Sequence, residues 1–428
     1  MPQWSWEAAR KGLGPVMILI AVLVWPGGVS HAACPSPSTG SVPLAEMPES
    51  GEVVFRGSGA GHSLGMSQYG ARGAALLGCS TTQILTTYYR GAAVQPMPTP
   101  RELAVWMLRS GTSATVAVDA NPTRAARVKW QSRGQLVGWQ PEGQTWTVRM
   151  SGTTVLLTDH TGRVRYQRAA PIRSLQMLHS GIPTTLRTFQ GSSPYLVRRN
   201  KWDETHFLYN AGTLDVQQRF RDRADNGTAM DKYLYGVAEV PETWPAAALG
   251  AQAIASRTFA TKVNRVLHAH SVDQLYRGHD PTRDDPGTSW RRAVDTSSGQ
   301  VLVGPNGALI DALYSASMAG STEDRRYVWG GATEFPHLTA VDDSAWANAS
   351  SDPYAAWVRT FSKPYLADRF GFDRVSDVTV AAKGTTARWT GVVITGTDDG
   401  STVTRRFTGW DVKTRLGLPS PGFVVTVR

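Results

Sequence analysis

Glu239 is the residue around which chemistry is most readily built. It stands in Tyr233-Leu234-Tyr235-Gly236-Val237-Ala238-Glu239-Val240-Pro241, with Trp244 close behind. A carboxyl set among apolar residues is poorly solvated when charged, so its proton affinity rises and it can act as a general acid near neutral pH. Tyr235 and Trp244 flank it in sequence and are candidates for an apolar wall. A plainer reading also fits: a glutamate ahead of the Ala-rich stretch from Ala246 to Ala260 stabilises a helix N-terminus through its dipole. Glu242, three residues on, is read as a solvent-facing side chain. A second polar group lies in Gly61-His62-Ser63-Leu64-Gly65-Met66-Ser67-Gln68-Tyr69-Gly70-Ala71. His62 and Gln68 suit the orientation of hydroxyl groups or developing charge, and Gly61 and Gly65 suit close approach of backbone N–H groups to a ligand. A glycine-rich turn leading into a capped helix accounts for the same residues. Ser315, Ser317 and Thr322 make a third, hydroxyl-rich turn.

Other chemistries lack their residues. No HExxH or CxxC spacing occurs, and the nine histidines contain no i, i+4 pair, so no metal is expected. No Gly-x-Ser-x-Gly elbow between a strand and a helix supports a serine hydrolase. Arg10 and Lys11 precede an apolar run from Leu13 to Trp25 and the small residues around Ala32. That run is about thirteen residues where a bilayer needs roughly twenty, so residues 1–32 read as a cleaved signal peptide, with no stable transmembrane segment afterwards. His31 spoils a lipobox before Cys34. Cys34 and Cys79 are the two cysteines, and in an oxidising compartment they can pair or stay free. The formal charge is +10 and falls to +9 without residues 1–32. With no arginine-rich recognition helix or RNA-binding aromatic signature, nucleic acid is set aside in favour of anionic wall polymers or lipid headgroups.

The positioning elements follow from periodicity. Residues 33–52, rich in Pro, Ser and Gly, read as an extended linker, and 53–100 hold the Gly-His block. From 101 to 225, alternating runs such as Thr145–Met150 and Thr153–Thr158 between turn clusters predict a β-rich insert or lobe. Its Trp and Arg residues suit a glycan platform, but half-buried strand faces explain them as well. Residues 226–362 carry the best helical stretch, from Met230 to His268, and 363–428 return to strand alternation. No internal repeat is visible.

The Glu239 segment, with Ala251-Gln252-Ala253-Ile254-Ala255-Ser256-Arg257-Thr258, resembles the core of the SpoIID/LytB family. The Gly61–Ala71 block resembles the same family's Gly-His segment. Asp273 to Gly278, Tyr314 to Glu323, Val328 to Gly331 and Thr414 to Leu418 are similar to further family segments. The resemblance spares mainly residues 101–210. It implies an α+β fold: a mixed core with an Ala-rich helix after the Glu239 loop, a β-rich inserted lobe and a β-rich C-terminal unit. It implies a secreted, cofactor-free lytic transglycosylase acting on peptidoglycan glycan strands, with Glu239 as catalytic residue. His62, Gln68, Tyr235, Trp244, Ser315, Ser317 and Thr322 would contact the sugar, the last three through its acetamido groups. The same resemblance admits a non-catalytic enhancer that binds wall and stimulates a partner amidase. The sequence departs from the family pattern in three places: Ser63 replaces a glycine, the loop before Glu239 is short, and the Gly-His block precedes the Glu239 block instead of following it.

Overall fold

The computed structural model describes residues 51–427 except 121–124, 170–174, 264, 271, 331–334 and 385–388. The signal-peptide segment, most of the linker and Cys34 therefore lie outside the described residues. The fold is mixed α+β. Among the described residues, no helix is long and apolar enough to cross a membrane.

The β-rich stretch folds into two facing sheets. One is six-stranded, in the order Val164–Ala169, Thr154–Thr158, Thr145–Ser151, Ser113–Val118, Thr184–Gln190, Ser193–Asn200. The other is seven-stranded, in the order Leu267–His268, Glu102–Gly111, Thr213–Arg221, Glu204–Asn210, Leu175–Leu178, Arg127–Ser132, Gln135–Pro141. Strict alternation is visible in Ser113–Val118, whose Ala114, Val116 and Val118 point inward while the residues between stay half-exposed. Trp130 and Trp146, one from each sheet, stack with centroids 6.1 Å apart and are fully buried. These two tryptophans are core, whereas Trp139 is 43% exposed. The hairpin turns Arg133-Gly134 and Ala211-Gly212 have positive φ at both residues, as two-residue hairpins with the right-handed strand twist require.

Helix Ala246–Lys262 is the centre of the rest. Twelve of its seventeen residues are buried, because it is apolar almost all round and is covered on opposite sides. Ala248, Leu249, Ala253 and Ala260 join the core that continues into the sandwich. Ala251, Ile254 and Ala255 join a second core with Met66, Ile84, Tyr88 and Trp346. The small alanines let Gln68–Leu76, Thr81–Tyr88, Ala229–Tyr235 and Ser289–Thr296 pack closely against it. Arg257 on this helix is fully buried and bonds Asp231 Oδ1 at 2.9 Å, the Val294 carbonyl at 3.0 Å and the Ser297 carbonyl at 2.7 Å, tying three helical segments together. Lys232, equally buried, donates to Asp203 at 2.7 Å and so fastens this core to the lobe.

The C-terminal unit is an antiparallel sheet of Trp357–Ser362, Glu52–Gly57, Phe423–Val427, Trp389–Asp398 and Arg374–Lys383, with Ser401–Thr408 beside Trp389–Asp398. Glu52–Gly57 thus pairs with strands more than 300 residues later, Val53 lying opposite Phe361 and Val427. Cys79 is disulfide-bonded.

Candidate functional site

Segments far apart in sequence meet around Glu239. Met66–Ser67 runs parallel to Tyr314–Ser315, Ala60 bridges Ser317, and Val237 bridges Tyr276. The Gly-His block, the Glu239 loop, Asp273–Gly278 and the hydroxyl-rich turn are thereby held edge to edge. Ala238 N donates to the Leu275 carbonyl at 2.8 Å, and Leu275 N returns a bond to Glu239 Oε1 at 2.6 Å. Arg283 donates to the Val240 carbonyl at 2.8 Å and fixes the far side of the loop.

Glu239 is half-buried. Burial raises its proton affinity, opposed by hydrogen bonds from Leu275, Tyr314 and Gln68. The Tyr314 hydroxyl donates to Oε1 at 3.3 Å. Behind that hydroxyl lies a buried polar network. Tyr314 accepts from Gln274 Nε2 at 2.8 Å and from Ser256 Oγ at 3.4 Å, while Gln274 Oε1 accepts from Tyr233 at 2.8 Å. Gln252 donates to Ser256 at 3.0 Å and accepts from Gln68 Nε2 at 3.2 Å. The carboxyl is held on a ring of matched donors and acceptors, not on the helix end. Helix Ala246–Lys262 begins after a loop, with Pro245 at its N-cap, so the helix-dipole role does not apply to Glu239. Glu242 is the glutamate that closes a helix end, since both its oxygens accept backbone N–H groups, from Ser289 and, at 2.9 Å, from Trp290. It is not simply solvent-facing.

The other candidate residues divide. Gln68, 5% exposed, heads helix Gln68–Leu76 behind its cap Ser67 and belongs to the network. His62 Nδ1 accepts from Leu64 N at 3.1 Å, and its ring packs on Trp329 at 5.4 Å. Burial pulls its pKa down to about 4, so the imidazole is neutral at pH 7. Trp244 meets Tyr69 edge-on at 5.1 Å, and Tyr69 meets Tyr354, 40% exposed, at 6.0 Å. The Arg72 guanidinium lies over Trp244 at 5.9 Å. An aromatic wall thus begins at the residue next to Gln68.

Tyr235 is placed elsewhere. Its hydroxyl donates to Asp295 at 2.6 Å and its ring lies under Arg291 at 3.7 Å. Two residues on a helix are about 200° apart, so Tyr233, not Tyr235, faces the Glu239 network. Ser315, Ser317 and Thr322 are 5%, 0% and 0% exposed. Ser315 Oγ accepts from His62 N at 3.0 Å, Ser317 donates to Asp352, and Thr322 Oγ1 accepts from Val341 N at 2.8 Å. These hydroxyls are buried and bonded within the protein, so sugar contact by them is not what the geometry offers. Gly61 and Gly65 also face protein rather than ligand. A Cβ on Gly65 would lie 2.0 Å from the Leu313 carbonyl oxygen, and one on Gly61 would lie 2.5 Å from Ser315 Cβ. Ser63 is buried in the left-handed region at φ 67°, which explains why glycine suits that position better.

Tyr314, Gln274, Gln252 and Ser256 are site residues that sequence reasoning did not assign. Gln252 and Ser256 carried a readable signal, being a polar i, i+4 pair within the Ala-rich part of the helix. Among the described residues, one group of potential metal ligands occurs, His279, Asp284 and Asp285. Lys201 Nζ lies 3.5 Å from Asp284 and 3.0 Å from Asp285, supplying the positive charge there itself.

Residues 223–303, which hold Glu239, Gln252, Ser256 and Gln274, match the SpoIID family model, described as Stage II sporulation protein. Over this segment the chain is similar to the SpoIID/LytB family. It is 29% identical over 250 residues to stage II sporulation protein D of Bacillus amyloliquefaciens, covering 54% of this chain and 69% of that protein. It is 35% identical over 133 residues to the amidase enhancer of Bacillus subtilis (strain 168), covering 30% of this chain and 16% of the enhancer's length. No solved structure matches the chain. These similarities point to a cell-wall-related role.

Proposed function

We propose that this protein acts outside the cytoplasm on peptidoglycan glycan strands as a lytic transglycosylase. Protonated Glu239 donates its proton to the glycosidic oxygen between N-acetylmuramic acid and N-acetylglucosamine as the bond to the anomeric carbon breaks. The carboxylate so formed takes the proton of the muramic acid C6 hydroxyl while O6 closes on that carbon. The product is a 1,6-anhydro end; no water is consumed and Glu239 ends protonated again. One carboxyl suffices, unlike the two of ordinary glycoside hydrolases. The observation that carries this reading is a half-buried carboxyl whose proton affinity is raised by burial, anchored on Leu275 N and Tyr314. Trp244, Tyr69 and Tyr354 would offer an apolar face to a sugar ring, and Gln68 would steady the Glu239 carboxyl through the network.

A second reading, an enhancer that binds wall and stimulates an amidase without turnover, is favoured by the 35% identity to the amidase enhancer. Mass spectrometry of intact and peptide-stripped glycan strands, incubated with wild type and Glu239→Gln, separates the two. New anhydro-muramic ends from wild type alone support the transglycosylase. No new ends from either protein, with glycan binding retained, replaces it with the enhancer.

A further inference from the structure

The lobe spanning residues 101–225 carries 18 Lys and Arg against 9 Asp and Glu, a net +9. The remainder of residues 33–428 is balanced, so the whole excess charge expected after signal removal sits on this one element. The structure shows why it is not neutralised locally. Five of the lobe's acids already have partners: Asp119 is held by Arg199 at 2.7 Å, Asp159 by Arg165 at 3.0 Å, Asp203 by Arg223 at 2.8 Å, Glu204 by His206 at 2.7 Å and Glu102 by Arg221 at 3.4 Å. Arg133, Arg149, Arg163, Arg168 and Arg187 are exposed and enter no ion pair among the described residues.

Register puts two of these five on one face, and the sheet edge brings in the others. Arg187 lies opposite Thr115, which lies opposite Thr147 on the strand that carries Arg149 two residues on. Arg187 and Arg149 therefore share the solvent face two strands apart, about 10 Å at the usual strand spacing. Arg168, on the edge strand Val164–Ala169, lies opposite Val155 and so on the other face of that edge, and Arg163 just precedes the strand. The contact of Ser132 Oγ with Tyr166 OH at 2.9 Å brings the Arg133 turn of the other sheet to that same edge. The result wraps from one sheet face around the sandwich edge. Of the exposed apolar side chains on the lobe, Leu136 and Trp139 lie on Gln135–Pro141, at the edge of one sheet, and Tyr195 and Val197 on Ser193–Asn200, at the edge of the other, so they form no single membrane-inserting face.

We propose that this arginine surface docks a phosphodiester-bearing cell-wall polymer, a polyol-phosphate chain, and so holds the Glu239 cleft against the neighbouring glycan. The proposal rests on the cell-wall reading above. Guanidinium forks match phosphate oxygens two at a time, and a chain with one charge per repeat can follow a surface too spread out for a single small anion. The attraction is between exposed charges and is screened by salt.

The test uses the full-length protein carrying Glu239→Gln, so binding is read without turnover. Pelleting with purified walls is compared for the five native arginines and for Arg133→Glu, Arg149→Glu, Arg163→Glu, Arg168→Glu and Arg187→Glu together, which takes the lobe from +9 to −1. Expected is a loss of wall affinity on the order of tenfold or more, and a similar loss when walls are stripped of phosphodiesters by hydrofluoric acid. Arginine-to-glutamine versions provide the same comparison should the reversed protein not fold, with circular dichroism checking each. Undiminished binding to stripped walls, or by the folded reversed protein, overturns the proposal, as does preference for anionic vesicles over walls. The transglycosylase reading is judged separately, by anhydro ends formed from polymer-free glycan, so either can fail alone.

Discussion

Replacing Tyr314 with phenylalanine removes one hydroxyl from the centre of the site and keeps the ring. Three bonds go with it: the one donated to Glu239 Oε1 at 3.3 Å, and those accepted from Gln274 at 2.8 Å and Ser256 at 3.4 Å. A hydrogen bond to a charged group is worth about 1.5–3 kcal/mol, and a long one belongs at the low end. Tyr314 lowers the proton affinity of Glu239 against the larger, opposite effect of burial. Its removal therefore raises that affinity further. At about 1.4 kcal/mol per tenfold change, the alkaline limb of kcat/KM, where the acid is lost, moves up by about one pH unit. Stability has its own sign. The bond to Glu239 favours the carboxylate, so Tyr314→Phe costs more above the folded pKa of Glu239 than below it. Gln274 Nε2 keeps the Ser256 carbonyl at 3.3 Å, but the Ser256 hydroxyl loses its acceptor, which adds about 1 kcal/mol at any pH. Urea unfolding at several pH values and a pH–rate profile on glycan strands read both effects. A limb that stays in place or moves to lower pH refutes the positioning role of Tyr314.

Three further outcomes follow from packing and burial. Arg257→Met leaves Asp231 buried without its guanidinium and is expected to cost about 3–5 kcal/mol in urea unfolding, whereas a loss below about 1 kcal/mol would show that the pair does not hold the helices. Gly73→Ala puts a Cβ 1.7 Å from the Trp346 carbonyl oxygen. It should lower stability by about 1–3 kcal/mol and, by moving the helix that carries Gln68, reduce turnover as well; an unchanged melting temperature would contradict this. His179 is fully buried and its pKa is lowered to about 4, so the unfolded chain binds a proton first as pH falls. Stability is then lost between about 6.5 and 4, by up to about 3 kcal/mol, and His179→Gln should flatten that part of the stability–pH curve relative to wild type.

Much of the architecture was legible in the sequence because its signals are local. Alternation over 101–225 marked a β lobe, since the two-residue strand period shows in every short run. The apolar surround of Glu239 and the Ala-rich helix after it were equally visible, and residue types alone placed the excess charge on the lobe. Tertiary structure decided what those pieces do to one another. Gln68 and Gln252 are 184 residues apart, and Tyr314 and Glu239 are 75 apart, so no local pattern could join them. Helical phase chose Tyr233 over Tyr235, and the neighbouring segment Leu313–Ser315, not a ligand, claimed the space at Gly61 and Gly65. Ser315, Ser317 and Thr322 look like sugar-binding hydroxyls until the fold buries them, because a hydroxyl's role depends on which partner reaches it first. Residue type sets what a side chain is able to do; the packing of distant segments sets its solvation and its partners, and those determine which of its abilities is used.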